Sequence, residues 1–457
     1  MATTPTTDRL DRAVLKLAAV LVLGALAPLL DSTIVTVAIH TLGIELHTSV
    51  AEVQWVSTAY LLALAMAVPI TGWSANRFGA KRMWIIALAL FLIGSMLCGA
   101  AWNIGSLIVF RVIQGIGGGL MLPILQTLLL RAAGRERIGR LMAVVTLPAL
   151  IGPILGPVIG GVLVGHLDWR WIFYVNVPIC IAAIILAVRE LAPDPEPTAA
   201  ALDIPGLLLV SPALAGIIYG LSQVGDHGFG DARVLVPLVL GIALLAVFAL
   251  RRTEEPLIDL ALFRTKSFTA STALLFLTGF GLYGAMLLLP LFYQQARGET
   301  VTAAGLLLVP QGIGSLIART AGGLTDRYGP RSVILVGIVL TTLGTIPFAF
   351  TGTAYWLLAI ALVVRGAGLS AVMLAVMVGA FRDLEPAQIP HASSTTRIMQ
   401  QLGGAFGAAT LAVVLQNQLT GHAAPTAYAH SFAWAIGFTV IAAVPALFLP
   451  GAGLLNK

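Results

Sequence analysis

The sequence predicts an all-α membrane protein: two pseudo-symmetric six-helix bundles with two more helices inserted between them, fourteen transmembrane helices in all. Three observations carry this reading. The 457-residue chain is 58% hydrophobic and 10% charged, whereas a soluble domain carries about 25% charged residues, so lipid must be the solvent for much of its surface. Apolar runs long enough to cross a bilayer, about 20 residues each, recur along its whole length. A short polar segment near residue 72 returns 250 residues later.

Taken in order, the runs occupy residues 14–39, 51–75, 82–101, 105–130, 139–165, 171–189, 204–223, 233–250, 268–291, 302–324, 332–351, 355–380, 391–415 and 431–449. Their connections are short, which leaves no room for a sizeable soluble domain. The first run contains a single carboxylate, Asp31, and no other formal charge lies between Lys16 and Glu45. The Pro-rich, acidic stretch at 190–203 reads as a linker that closes the first six spans. This divides the chain into a bundle at 1–189, an inserted pair with its linkers at 190–267, and a second bundle at 268–457. Cys98 and Cys180 both lie in apolar runs and are too few for a disulfide framework. The polar N-terminus leads into a run that does not read as a cleaved signal peptide.

Basic residues separate by side. Of 26 Lys and Arg, nineteen fall on one face of the spans, among them Arg77, Lys81, Arg82, Arg131, Arg327 and Arg331. Only Arg170, Arg233 and Arg297 fall on the other. The positive-inside rule then places both termini in the cytoplasm. The same bias accounts for the formal charge of +6 without a nucleic-acid partner. The seven histidines are scattered over loops and span ends, and no phosphate loop of the GxxxxGK[ST] kind is present. No metal site, catalytic set or cofactor is therefore expected. The Ala-, Gly- and Arg-rich composition points to a high-GC bacterium, and so to a bacterial cytoplasmic membrane.

The repeat pairs Gly72-Trp-Ser-Ala-Asn76-Arg77-Phe-Gly79 with Gly322-Gly-Leu-Thr-Asp326-Arg327-Tyr-Gly329, each after the second span of its set. Arg111 and Arg365 fall in the fourth span of each set. Three further segments complete the pattern. They are Arg111-Val-Ile-Gln114-Gly115-Ile-Gly117, Gly152-Pro153-Ile-Leu-Gly156-Pro157-Val-Ile-Gly160-Gly161, and Trp169-Arg-Trp-Ile-Phe-Tyr-Val-Asn176-Val-Pro178. On these motifs the chain resembles the major facilitator superfamily, specifically its fourteen-span drug/proton antiporter family. The resemblance implies a proton-coupled exporter of lipophilic drugs or natural products that works by alternating access. It also implies a part for Arg111 in proton coupling and for span five in bending between inward-open and outward-open states. On their own chemistry, Gly152, Gly156 and Gly160 let a neighbouring helix approach closely. Pro153 and Pro157 remove backbone hydrogen bonds and permit a bend. Packing alone would also account for the glycines.

Asp31 is the residue most in need of a reason. A charge at membrane depth costs at least about 2.5 kcal/mol, so it requires a partner or a water-filled cavity. At about 1.5 Å per residue, Asp31 lies roughly 13 Å from the outer end of its span and Arg111 roughly 8–12 Å from the outer start of its own. Pairing is therefore geometrically possible. Low dielectric favours the protonated acid and a nearby Arg favours the carboxylate; a group held between those pulls can exchange a proton. The alternative is a static ion pair that only fixes helix packing. Under the proton-handling reading, Asp31→Asn should abolish proton-driven export and leave folding largely intact. Gln114, Gly115 and Gly118 share a helix face with Arg111, which suits either a cavity wall or a close helix contact.

Where the resembling family has Asp, this chain has Asn76, while the second copy keeps Asp326. Asn can cap a helix but brings no charge, so a weaker cytoplasmic lock is expected. The interior of the second half contains Arg365 and Arg397 and no acid. Arg397, Gln400, Gln401 and Gly404 form one face. Gln54, Thr58, Tyr60, Gln126, Tyr283 and Gln311 are further cavity candidates, and each can equally be a packing residue. An excess of buried Arg suits neutral, zwitterionic, weakly acidic or monocationic amphiphiles better than dications. The expected partners are thus a small lipophilic substrate, protons and the bilayer, with the chain acting as a monomer. Two alternatives stay open: an exporter of one endogenous lipid, siderophore or metabolite, and a non-transporting membrane sensor, against which the short loops argue.

Overall fold

The structure is a computed structural model that describes residues 12–133, 156, 159–160, 162–194, 201–251, 253, 256–318 and 321–449. Its first helices are α1 (Arg12–Glu45), α2 (Val50–Ala67), α3 (Thr71–Phe78), α4 (Ala80–Gly99), α5 (Ile104–Ala133) and α6 (Asn176–Glu190). Two more follow, α7 (Ile204–Ser222) and α8 (Ala232–Leu250). The second half contains α9 (Lys266–Leu291), α10 (Val301–Leu307), α11 (Val309–Ile317), α12 (Ala321–Tyr328), α13 (Pro330–Thr345), α14 (Tyr355–Phe381), α15 (Ile389–Gly421) and α16 (Ala424–Ile441).

Among the described residues twelve helices are long and apolar enough to cross a membrane. That is two fewer than the fourteen expected. The run at 139–165 lies largely outside the described residues, and Gly152, Pro153 and Pro157 lie outside them with it. The run at 302–324 turns at Leu308, just before Pro310, whose nitrogen cannot donate a backbone hydrogen bond. Residues 319–320 within it lie outside the described residues, and its described apolar stretch, Ala303–Ile317, is too short to count alone.

In the first half α1 packs on α6, α2 on α5, and α4 on both α5 and α6. In the second half α9 packs on α15 and α14 on both α11 and α13. The inserted helices α7 and α8 cross closely because small residues meet there. A Cβ on Gly216 would stand 2.8 Å from the Pro237 carbonyl oxygen, and one on Gly241 2.7 Å from that of Ala213. The pair sits against α2 and α15 through α7, with Ser211 Oγ donating to the Met66 carbonyl at 2.7 Å. Leu235, Val236, Val239, Leu240 and Ile242 on α8 stay exposed, an apolar face suited to lipid.

Both copies of the repeated segment end in a glycine with positive φ, 93° at Gly79 and 79° at Gly329, a conformation that favours residues without a Cβ. These turns pass the chain from α3 to α4 and from α12 to α13. The start of α4 is then capped from a distance: Asp194 accepts the backbone N–H of Lys81 at 2.8 Å and of Arg82 at 3.1 Å. The acidic linker is thus a helix cap as well as a connection.

A second carboxylate latches the inserted pair. Asp203 accepts the N–H of Gly206 at 2.9 Å, the Arg251 guanidinium at 3.0 Å and the N–H of Leu257 at 3.4 Å. Burial pushes this acid up, but the hydrogen bonds from Arg251, Gly206 and Leu257, with the Arg251 charge, outweigh it and hold the carboxyl below its ordinary value. A depressed acid contributes stability above its unfolded value, and that contribution is lost as pH falls through the folded one. Thermal unfolding followed from neutral pH to below about pH 4 should show a falling midpoint, with a shallower fall in Asp203→Asn. Equal slopes in the two proteins would remove this role.

Candidate functional site

Five helices of the first half converge on Asp31. Its Oδ1 accepts Gln114 Nε2 at 2.9 Å and Asn176 Nδ2 at 3.1 Å, and its Oδ2 pairs with Arg111 Nη1. Arg111 also donates through Nε to the Val56 carbonyl at 3.0 Å and through Nη1 to Gln114 Oε1 at 2.7 Å. Its guanidinium carbon lies 4.0 Å from the Tyr60 ring centre, within cation–π range. Ser95 Oγ receives Gln114 Nε2 at 2.7 Å and Asn176 Nδ2 at 3.4 Å. Glycine admits this cluster: a Cβ on Gly94 would stand 2.6 Å from Gln114 Cα, so α4 and α5 touch where Gln114 enters.

The cluster is sealed. Asp31 is 0% and Arg111 1% exposed. A buried ion pair is tolerable when its remaining lone pairs and protons are satisfied, and Asp31 accepts from three side chains. Asn176 Oδ1, by contrast, is buried with no hydrogen-bond partner among the described residues. The face formed by Arg111, Gln114, Gly115 and Gly118 is a close helix contact and not a cavity wall. A Cβ on Gly115 would stand 2.9 Å from Ala63 Cβ, and one on Gly118 2.9 Å from the Tyr60 hydroxyl.

The other expected residues lie elsewhere. Gln54 is exposed, and Thr58 donates to its carbonyl at 3.1 Å, so neither joins the cluster. Gln126 and Gln401 each bury an Oε1 with no hydrogen-bond partner among the described residues. Tyr283 packs on Gly404, whose Cβ would stand 2.6 Å from the ring. Arg397 Nη1 donates to Gln400 on its own helix at 3.0 Å. Gln311 accepts Arg365 Nη1 at 2.7 Å. Gly156 and Gly160 abut α1, with a Cβ on Gly160 standing 3.1 Å from the Ile34 carbonyl oxygen. Gly322 and Asp326 belong to α12, and their side-chain surroundings lie outside the described residues. Arg327, like Arg77, is exposed at the basic end.

Residues 21–408 match the Major Facilitator Superfamily. The chain belongs to this superfamily. A curated relative from Mycobacterium tuberculosis, described as a multidrug resistance protein B homolog, is 40% identical over 420 residues, 90% of this chain and 78% of that one. The tetracenomycin C resistance and export protein of Streptomyces glaucescens is 30% identical over 457 residues, 95% of this chain and 84% of that one. Among solved structures, a double-Trp mutant of XylE superposes with a TM-score of 0.69 at 16% identity, over 96% of each chain. That level of identity speaks for the fold alone.

In this superfamily member the two halves meet at the basic end. Thr71 Oγ1 and Ser394 Oγ lie 2.7 Å apart, Thr127 Oγ1 donates to Ser393 Oγ at 3.5 Å, and a Cβ on Gly72 would stand 3.1 Å from His391 Cα. Asn76 is one turn beyond Gly72 and accepts Arg131 Nη2 at 3.0 Å. Asn76→Asp would make that bond charge-assisted, roughly doubling its strength, on the helix whose Gly72 meets the first turn of α15, an end that favours negative charge. The variant should raise the closed population at this end several-fold, measured by distances between spin labels across it. An unchanged distance distribution would count against the lock.

Ser95 and Asn176 escaped notice as site residues in the sequence. Asn176 lies in a segment that resembles a family motif, but nothing local says that its amide faces α1. Ser95 is one small polar residue in an apolar run. Only the depth of each in its own span, compared with Asp31, could have singled them out.

Proposed function

We propose that this protein is a proton-coupled antiporter that exports lipophilic drugs or natural products across a bacterial cytoplasmic membrane by alternating access. In this reading both termini face the cytoplasm, and the runs at 139–165 and 302–324 complete fourteen spans. The observation that carries it is an intramembrane carboxylate, Asp31, whose only charged contact among the described residues is Arg111 and whose Oδ1 accepts from two neutral amides. Such a residue is costly and functional by default. The relatives named for drug and antibiotic resistance support the cargo class.

Asp31 in its charged form is held by Arg111, Gln114 and Asn176. A proton arriving from outside would neutralise it and release Arg111 from the pair. The Asn176 amide can serve both states: its NH2 donates to the carboxylate, and after a flip its unpartnered oxygen accepts the acid's O–H. Loss of the pair loosens α1 from α5, and rocking of the halves then exchanges access. In proteoliposomes, an imposed pH gradient should drive uptake of tetraphenylphosphonium or of a neutral aromatic polyketide. Uptake indifferent to that gradient for every substrate carried would overturn the proton coupling.

A further inference from the structure

The second half repeats the arrangement around Asp31 with the acid left out. The position 250 residues after Asp31 is Gly281, on α9. Arg365 on α14 takes the place of Arg111. It donates through Nη1 to Gln311 at 2.7 Å and through Nη2 to the Gly281 carbonyl at 3.5 Å. Arg365 is 4% exposed, and among the described residues no carboxylate pairs with it. Two of its five N–H donors are engaged.

A cavity of about 30 Å³ opens beside Gly281, lined by Arg365, Thr278, Thr341 and Thr439 and otherwise by apolar side chains such as Leu369 and Val372. That is room for one or two water-sized groups. The helices supplying these residues pack in corresponding pairs, α13 on α14 as α4 on α5 and α9 on α16 as α1 on α6. Thr341 and Thr439 spend their hydroxyl protons on the carbonyls of Gly337 and Ala435. Thr278 Oγ1 is buried with no hydrogen-bond partner among the described residues. The cavity wall therefore presents an uncompensated guanidinium and one free hydroxyl, with no acid to neutralise them.

We propose that this cavity is a binding site for a single small monovalent anion, a free halide or a carboxylate no larger than formate. A buried cation without a counter-charge is strongly unfavourable, and a guanidinium with a neighbouring hydroxyl forms charge-assisted hydrogen bonds to such an anion. The first half carries its counter-charge covalently, as Asp31. The second half takes it from solution.

The test is thermal unfolding of the purified full chain, so it does not depend on what the protein exports. Sodium bromide and sodium formate are each titrated against sodium gluconate at constant ionic strength. Bromide should raise the midpoint saturably by a few degrees, as expected for a ligand of the folded state. Such a response assigns a free halide; a response to formate without bromide assigns a carboxylate. Arg365→Gln should abolish either response. Gly281→Asp guards against a variant that fails to fold. A Cβ at Gly281 would meet only Thr439 Oγ1, at 4.0 Å, so the new carboxylate fits and supplies the missing charge. This variant should be more stable than the parent in gluconate and indifferent to both anions. No response of the parent beyond gluconate, or an undiminished response in Gly281→Asp, would overturn the site.

Discussion

Asp31→Asn is expected to abolish proton-coupled export and to lower stability at the same time. The loss of coupling follows because the first half offers no second acid at that depth. The loss of stability follows from the geometry. Removing one partner of a buried ion pair costs about 3–5 kcal/mol, and an Asn side chain must turn its NH2 either to Arg111 Nη1 or to the donors of Gln114 and Asn176, which now meet Asp31 Oδ1 at 2.9 and 3.1 Å. Folding largely intact, as the sequence suggests, is thus too mild an expectation. The double variant Asp31→Asn with Arg111→Gln removes both charges and should recover much of the stability without recovering coupling. Export assays in proteoliposomes and thermal unfolding of the same preparations separate the two effects. Retained gradient-driven export in Asp31→Asn would sink the central assignment.

Arg111→Lys should be nearly as damaging as removing the charge. The guanidinium serves three acceptors in fixed directions: Val56 O from Nε, and Asp31 and Gln114 from Nη1. It also lies over the Tyr60 ring. An ammonium is a point charge on a flexible stem and cannot reproduce that fork. It would deprive Gln114 Oε1 of its strong donor, leaving it only the weak Cys98 Sγ contact at 3.6 Å, at a cost of about 1–3 kcal/mol for a buried group left poorly paired. Gradient-driven export should fall at least tenfold, read as initial rates at matched protein density. Near-parental rates would mean that only the charge matters, and the directed hydrogen bonds would lose their role.

Much of the frame was legible before any coordinates. Asp31 and Arg111 could be brought to the same level by counting residues from helix ends, because a membrane fixes where helices begin and end. The paired segments ending in Gly79 and Gly329 exposed the repeat, because both need a residue that tolerates positive φ. The misses have equally specific causes. The run at 302–324 looked uniform by hydropathy, which does not register the turn at Leu308 that precedes Pro310. Asp194 read as part of a solvated linker, and it caps a helix more than a hundred positions earlier in the chain.

By itself the sequence determined the class, the repeat and the single deep acid, because hydrophobicity, charge sidedness and self-similarity are properties of a chain read one residue at a time. Which side chains share a wall was decided by the tertiary structure alone. Ser95 and Asn176 reach Asp31 from other helices, and Gly281 leaves Arg365 facing an open space. Those relations depend on how closely small residues such as Gly94 let helix backbones approach, a long-range outcome of packing that local pattern does not record.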